Sequence, residues 1–329
     1  MPRAEHPLHR LFYPDSVAVI GASRNPHKFG HIQVSNLIKM GFGGRIYPVN
    51  PKADEILGLR CYPSILEVPG SVDVAVVSLP APKVPAVVGE CAEKGVKFVV
   101  IISSGFGEAG LEGARLQEAV LKAVEGTGTR IVGPNTTGIL NPEVGFTTTF
   151  VPIYCPVREG PVSFVVQTGL FAGVTLLHIL TAENFGVRLV AGIGNKCDVD
   201  ETDVLDYLAQ DGGTKVIAMY IEGVKDGRRF MEVAREVAVE KPILVLKPGR
   251  TEVGRRTALS HTGSLTGRDE VFEAACRQCG LIRAYSLEEL LDLAKAFATQ
   301  PIPRGRRVGI ASYSAVSYTH LTLPTTERV

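Results

Sequence analysis

Ser16-Val17-Ala18-Val19-Ile20-Gly21-Ala22-Ser23 runs five mostly β-branched or apolar residues directly into three small ones. A short apolar run stopped by a glycine turn predicts a buried strand of a parallel sheet. The pattern then repeats. A helix is expected over 29–40, stopped by Gly41-Phe42-Gly43-Gly44. Strands are expected over 45–49, 72–79, 98–102 and 130–132, with helices over 84–94 and 113–125 between them. Alternating strand and helix over about 140 residues predicts one doubly wound domain.

A passage with Pro152, Pro156 and Pro161 leads into a second series. Strands are expected over 162–166, 187–191, 216–221 and 243–246. Helices are expected after Gln167-Thr168-Gly169 and over 203–211, 229–239, 269–279 and 287–298. The fold class is therefore α/β, with two doubly wound Rossmann/flavodoxin-like domains in tandem. The expected division is 1–150, 151–303 and a C-terminal segment 304–329. Residues 307–312 read as the first strand of a third domain, and 314–329 then lack glycine and helical periodicity. A truncated chain with a foreign or frameshifted end is expected there, with a genuine short tail as the alternative.

Composition excludes several classes. With 45% hydrophobic and 21% charged residues, the chain has the make-up of a globular protein. A net charge of +1 offers no basic field for nucleic acid. No apolar run reaches membrane-spanning length, and residues 1–10 lack an apolar signal region. Six scattered cysteines include one C-x-x-C, at Cys276 and Cys279. It has no second pair, so free thiols in a reducing cytoplasm are expected and no metal site.

Ligands of open α/β sheets bind beyond the carboxyl ends of the strands. Here those ends carry Gly21-Ala22-Ser23, Asn50-Pro51-Lys52, Pro80-Ala81-Pro82, Ser103-Ser104-Gly105-Phe106-Gly107 and Gly133-Pro134-Asn135. The first turn lacks the G-x-G-x-x-G spacing, and no acidic residue closes the second strand to hold a ribose hydroxyl. Lys52 stands there instead and suits a phosphate-bearing ligand. Together the loops predict a nucleotide-like ligand other than NAD, which disfavours a Rossmann oxidoreductase.

A second signal is Ser260-His261-Thr262-Gly263-Ser264-Leu265-Thr266-Gly267, one histidine among small residues after a strand and a cationic loop. Neutral imidazole is a good nucleophile near pH 7, so His261 is a candidate carrier of a phosphoryl group. A helix-start loop, with Ser260 as cap and His261 in solvent, is the alternative from the octapeptide alone.

In order, GAS, NPK, LPAP, SSGFGE, GPNTTG, QTG, GIGNK, IEG and SHTGSL make the chain similar to the nucleoside-diphosphate-forming acyl-CoA synthetases. These include the ADP-forming acetyl-CoA synthetases and, more distantly, the α subunit of succinyl-CoA synthetase. The resemblance runs from about residue 15 to 297. It implies a CoA-binding first domain, with Gly21, Ala22, Ser23, Arg24 and Lys28 facing the CoA phosphates and Lys52 at the adenosine end. It implies Ser103, Ser104 and Gly105 along the pantetheine path, with Asn135 close to the thiol. It implies that His261 exchanges a phosphoryl group with an enzyme-bound acyl phosphate and that Glu222 orients its imidazole. Gln167, Thr168 and Gly169 open a helix whose backbone N–H groups would receive the phosphate.

The reaction implied is acyl-CoA, phosphate and ADP giving acid, CoA and ATP. Its nucleotide end, with ATP, ADP and Mg²⁺, belongs to ATP-grasp domains on a β-type subunit or a fused segment, and no candidate for them is seen in this chain. Coenzyme A, an acetate-like acid, phosphate and an oligomeric assembly complete the expected partners. The rival reading is a CoA-sensing regulatory module of an acetyltransferase-type fusion.

Overall fold

The computed structural model describes residues 5–167, 169, 175–250 and 268–303, together with 305, 309, 311–314 and 316. It divides into a compact unit up to Thr299 and a separate C-terminal unit from Gln300. The expected strand over 307–312 and the tail after it fall largely outside the described residues.

The first sheet is built from β1 (Ser16–Ile20), β2 (Arg45–Val49), β5 (Val74–Val77), β6 (Phe98–Ile101) and β7 (Arg130–Val132). A small antiparallel pair, β3 (Glu55–Ile56) and β4 (Leu59–Arg60), stands apart from it. The strand order is β2-β1-β5-β6-β7, and every pairing is parallel. That order reverses between β1 and β5, which makes the gap above those two strands the topological switch point.

The second sheet repeats this plan. It comprises β10 (Glu159–Val166), β11 (Val187–Gly192), β12 (Val216–Tyr220), β13 (Ile243–Leu246) and β14 (Ile282–Ala284), with a switch point between β10 and β12. The tandem doubly wound reading therefore holds. Beyond β11 the sheet gains two antiparallel strands, β8 (Ile139–Asn141) and β9 (Phe146–Thr147). Their sheet membership crosses the expected division at residue 150. The reason is local: Asn141 caps the turn at Pro142–Val144 and Gly145 is left-handed, so the chain doubles back as a hairpin beside β11.

Alternation along the strands builds three layers of core. Val17, Val19, Val74 and Val76 join Val165, Leu189, Ile217 and Met219 in one cluster shared by both sheets. Ala18, Ile20, Ala75 and Val77 point to the other side of the first sheet, and Phe164, Val166 and Ala218 to the other side of the second. Phe12 stacks on Tyr207 at 4.7 Å in the shared layer. Polar ties reinforce it. Arg130 of β7 holds Asp198 and Asp203, and Asn36 donates to the carbonyls of Thr149 and Val151.

Candidate functional site

The first switch point opens into a cleft of about 1050 Å³. Its volume is at the top of the roughly 300–1,000 Å³ range of small-molecule sites. Gly21 turns the chain at the end of β1 with φ +93°, a conformation that glycine reaches without strain. A Cβ there would come within 2.6 Å of the Ser78 carbonyl oxygen on the neighbouring strand end. The next helix, Phe29–Lys39, packs directly on this turn, and no side chain caps its start. The His31 and Ile32 N–H groups donate to the Lys28 carbonyl, which leaves those of Phe29 and Gly30 to face an anion.

Of the residues singled out in the sequence, Gly21, Ala22, Ser23, Lys28, Ser103, Ser104, Asn135 and Gly169 line the cleft. Arg24, Lys52 and Gly105 do not. Arg24 donates through Nε to the Glu55 carbonyl at 3.1 Å, and Lys52 is exposed on the turn whose Asn50 and Pro51 line the cleft. Gly105 gives its N–H to Glu108 Oε1 at 2.6 Å. Lys83 adds a cationic side chain and His27 an imidazole to the lining, neither selected from the sequence. Thr136, Thr137 and Phe150 also line the cleft; Thr136 Oγ1 donates to the Gly192 carbonyl of β11 at 2.6 Å, and Phe150 packs on Phe29 at the helix start.

At the second switch point β10 runs into Gln167 and β12 into Glu222. Gln167 is buried, and its Oε1 accepts the Glu222 N–H at 3.0 Å, while its own N–H donates to the Tyr220 carbonyl at 2.9 Å. Glu222 is 7% exposed, which places a carboxylate in a largely dry strand end. Burial, and then the charge of Glu222, push the Tyr220 hydroxyl above its ordinary pKa. Lys247, buried at the end of β13, lies over the Phe272 ring at 5.8 Å. Its signal in the sequence was a lone lysine directly after an apolar strand. His261 and Thr168 lie outside the described residues.

Behind Glu222 sits a buried ion pair. Lys196 Nζ donates to Glu201 Oε2 at 2.7 Å and to the Gly223 carbonyl at 2.5 Å, and Glu201 Oε1 accepts the Lys225 N–H at 3.0 Å. The loop that follows β12 is therefore held from beneath by charge-assisted bonds. The two switch points meet at Gly169, which lines the cleft two residues beyond Gln167. Among the described residues no group of His, Cys, Asp and Glu is arranged to hold a metal ion, and no helix is long and apolar enough to cross a membrane.

Comparison with known proteins also finds two successive parts, although the first match takes in β8, which pairs with the second sheet. Residues 15–142 match the family described as CoA binding domain, and 159–297 the succinyl-CoA ligase like flavodoxin domain. An ADP-forming acetate–CoA ligase II of Archaeoglobus fulgidus is 52% identical over 93% of this chain and 45% of its own length. The α subunit of ADP-forming acetate–CoA ligase I of Pyrococcus furiosus is 46% identical over 92% of this chain and 66% of its own. A dinucleotide forming acetyl-coenzyme A synthetase 1 from Ca. Korarchaeum cryptofilum, solved with phosphate and ADP, superposes with a TM-score of 0.86 at 43% identity. That match covers 91% of this chain and 64% of the solved one. The chain thus spans between about half and two thirds of these relatives.

Proposed function

The chain belongs to the nucleoside-diphosphate-forming acyl-CoA synthetases, and from that premise we propose that it is the α-type portion of an ADP-forming acyl-CoA synthetase. The observation that carries this reading is the meeting of a CoA-sized cleft with the Gln167–Glu222 strand ends at Gly169. The first-sheet cleft would take coenzyme A, with the Gly21–Ser23 turn, Lys28 and the Phe29–Lys39 helix start receiving its phosphates. Lys83 adds a further positive charge to the cleft lining, and His27 a polar ring. The thioester would then run past Ser103 and Ser104 towards Asn135.

The chemistry follows in two transfers. An oxygen of inorganic phosphate attacks the thioester carbon, the C–S bond breaks, and the thiolate leaves with a proton. The product is an acyl phosphate. A ring nitrogen of His261 then attacks its phosphorus, the bond to the acyl oxygen breaks, and the acid leaves as carboxylate. Glu222 accepting from the other ring nitrogen would orient the imidazole and favour its charged product. The backbone N–H groups of Thr168 and Gly169 would be offered to the transferred phosphate, while Gln167, whose own N–H is taken by the Tyr220 carbonyl, would hold the strand end beside them. Transfer onward to ADP, with Mg²⁺, is assigned to an ATP-grasp part, either a β-type subunit or a fused segment, within an oligomeric enzyme. All six cysteines are free thiols, which supports a reducing, cytoplasmic setting.

Incubation of the chain with acetyl-CoA and ³²P-phosphate tests the reading. Acid-labile, alkali-stable label on the wild type and none on His261→Ala is expected, with ATP appearing only when an ATP-grasp partner and ADP are added. Label that survives the substitution would remove His261 from the relay.

A further inference from the structure

The loop beside the thioester path and the loop that carries Glu222 belong to different sheets, yet one run of hydrogen bonds joins them. Glu108 stands at its centre. Its Oε1 accepts the N–H groups of Gly105 at 2.6 Å and Phe106 at 3.2 Å, and its Oε2 accepts Asn195 Nδ2 at 2.5 Å. Asn195 is held in turn. Its own N–H donates to the Pro134 carbonyl at 2.9 Å, and its side-chain oxygen accepts Asn135 Nδ2 at 3.4 Å. The next residue is Lys196, whose ammonium holds the Gly223 carbonyl beside Glu222.

Burial alone would raise the Glu108 carboxyl. The bonds from Asn195, Gly105 and Phe106 outweigh it and hold the group below the usual carboxylate range. It is therefore an anion at neutral pH, and charge-assisted acceptors of this kind are the stronger ones. Gly105, at φ +101°, has no side chain of its own to anchor the loop.

Resting on the reading above, we propose that Glu108 and Asn195 are positioning residues that align the Ser103–Gly105 loop with the Glu222 loop, so that the thioester meets the phosphate at the phosphoryl-transfer centre. Neither touches a reacting atom. Their work is alignment, where a displacement of about 1 Å can cost about 100-fold in rate.

Asn195→Asp would set a carboxylate against Glu108, and Glu108→Gln in the same chain would return a donor to the pair with its direction reversed. Two routes to labelled His261 are compared in the full 329-residue chain. One uses acetyl-CoA with ³²P-phosphate and needs the thioester aligned. The other uses acetyl ³²P-phosphate and bypasses it. Asn195→Asp is expected to lose about 100-fold on the first route and no more than about threefold on the second, with the thermal shift by CoA retained. The double variant Glu108→Gln/Asn195→Asp is expected to recover to within about tenfold of wild type, on the same scale. Equal loss on both routes, no loss on either, or no recovery in the double variant overturns the proposal. If Asn195→Asp fails to fold, Glu108→Ala reads the same split by the same criteria. A wild type that takes no label from acetyl phosphate overturns the underlying reading instead.

Discussion

Gly30 lies against Gly21 so closely that a Cβ on Gly30 would fall 2.1 Å from the Gly21 carbonyl oxygen. Backbone meets backbone there, so no side chain can swing aside. The contact seats the helix start on the turn that forms the cleft floor. Gly30→Ala gains about 0.5–1 kcal/mol from leaving glycine in a helix. The forced backbone shift costs about 1–3 kcal/mol and wins. A lowered urea midpoint and a loss of the thermal shift by CoA are expected together. An unchanged midpoint would show that the helix can slide without cost.

Asp203 gives a pH-dependent test of the tie between the two sheets. Burial opposes its charge, but hydrogen bonds and charges from Arg229 and Arg130 prevail and lower its pKa below the unfolded value of 3.8. Its contribution to stability is therefore complete above that unfolded value and is lost as pH falls through the lower folded one. Asp203→Asn should be less stable than wild type at pH 7 by urea unfolding. The gap should narrow only below about pH 4. A gap constant down to pH 2 would contradict the ion-pair origin.

Thiol reactivity should be uneven. Burial pushes Cys91, Cys197 and Cys276 up to about 12, which leaves almost no thiolate at pH 8. Cys155 is half-buried and the most accessible of the six. Iodoacetamide at pH 8, followed by peptide mapping, should find Cys155 alkylated first and Cys91, Cys197 and Cys276 last. Rapid alkylation of Cys276 and Cys279 together would mean that the Asp269–Cys279 helix opens in the native protein.

Glu222→Gln keeps the size of the side chain and removes its charge. Partners that orient an imidazole are typically worth about 10–100-fold, so phosphoryl labelling of the chain should slow by that factor. The thermal shift by CoA should stay as in wild type, because the cleft lining excludes Glu222. An unaltered labelling rate would remove the carboxylate from the relay.

Much of the fold was legible because β-branched runs and glycine stops recur with the spacing of parallel sheets. Ser16–Ile20, Phe98–Ile101 and Ile243–Leu246 declare themselves in this way. The hairpin of β8 and β9 did not, since its three- and two-residue strands are too short for any periodicity. In the cleft, the turn residues were legible because small residues must stand where backbone approaches backbone, as at Gly21. Lys52 and Arg24 were harder to place. A long cation near a strand end can turn either towards a ligand or along the surface, and the spacing of residues does not distinguish the two. Glu108 and Asn195 stand within SSGFGE and GIGNK, but their pairing was hidden for a different reason. Their partnership spans 87 positions and exists only once two sheets are packed together.

The position of β8 and β9 also decides how this chain can be taken apart. They precede the linker yet hydrogen-bond alongside β11. A fragment starting after residue 150 would leave that sheet with a raw margin of unpaired backbone groups, a template for sticking to its own kind. A fragment ending there would keep the hairpin on Phe12, Gln33 and Phe42 but strip β8 of its partner strand β11. The two halves are dovetailed, and a clean saw-cut between them does not exist at the place where the chain looks most divisible.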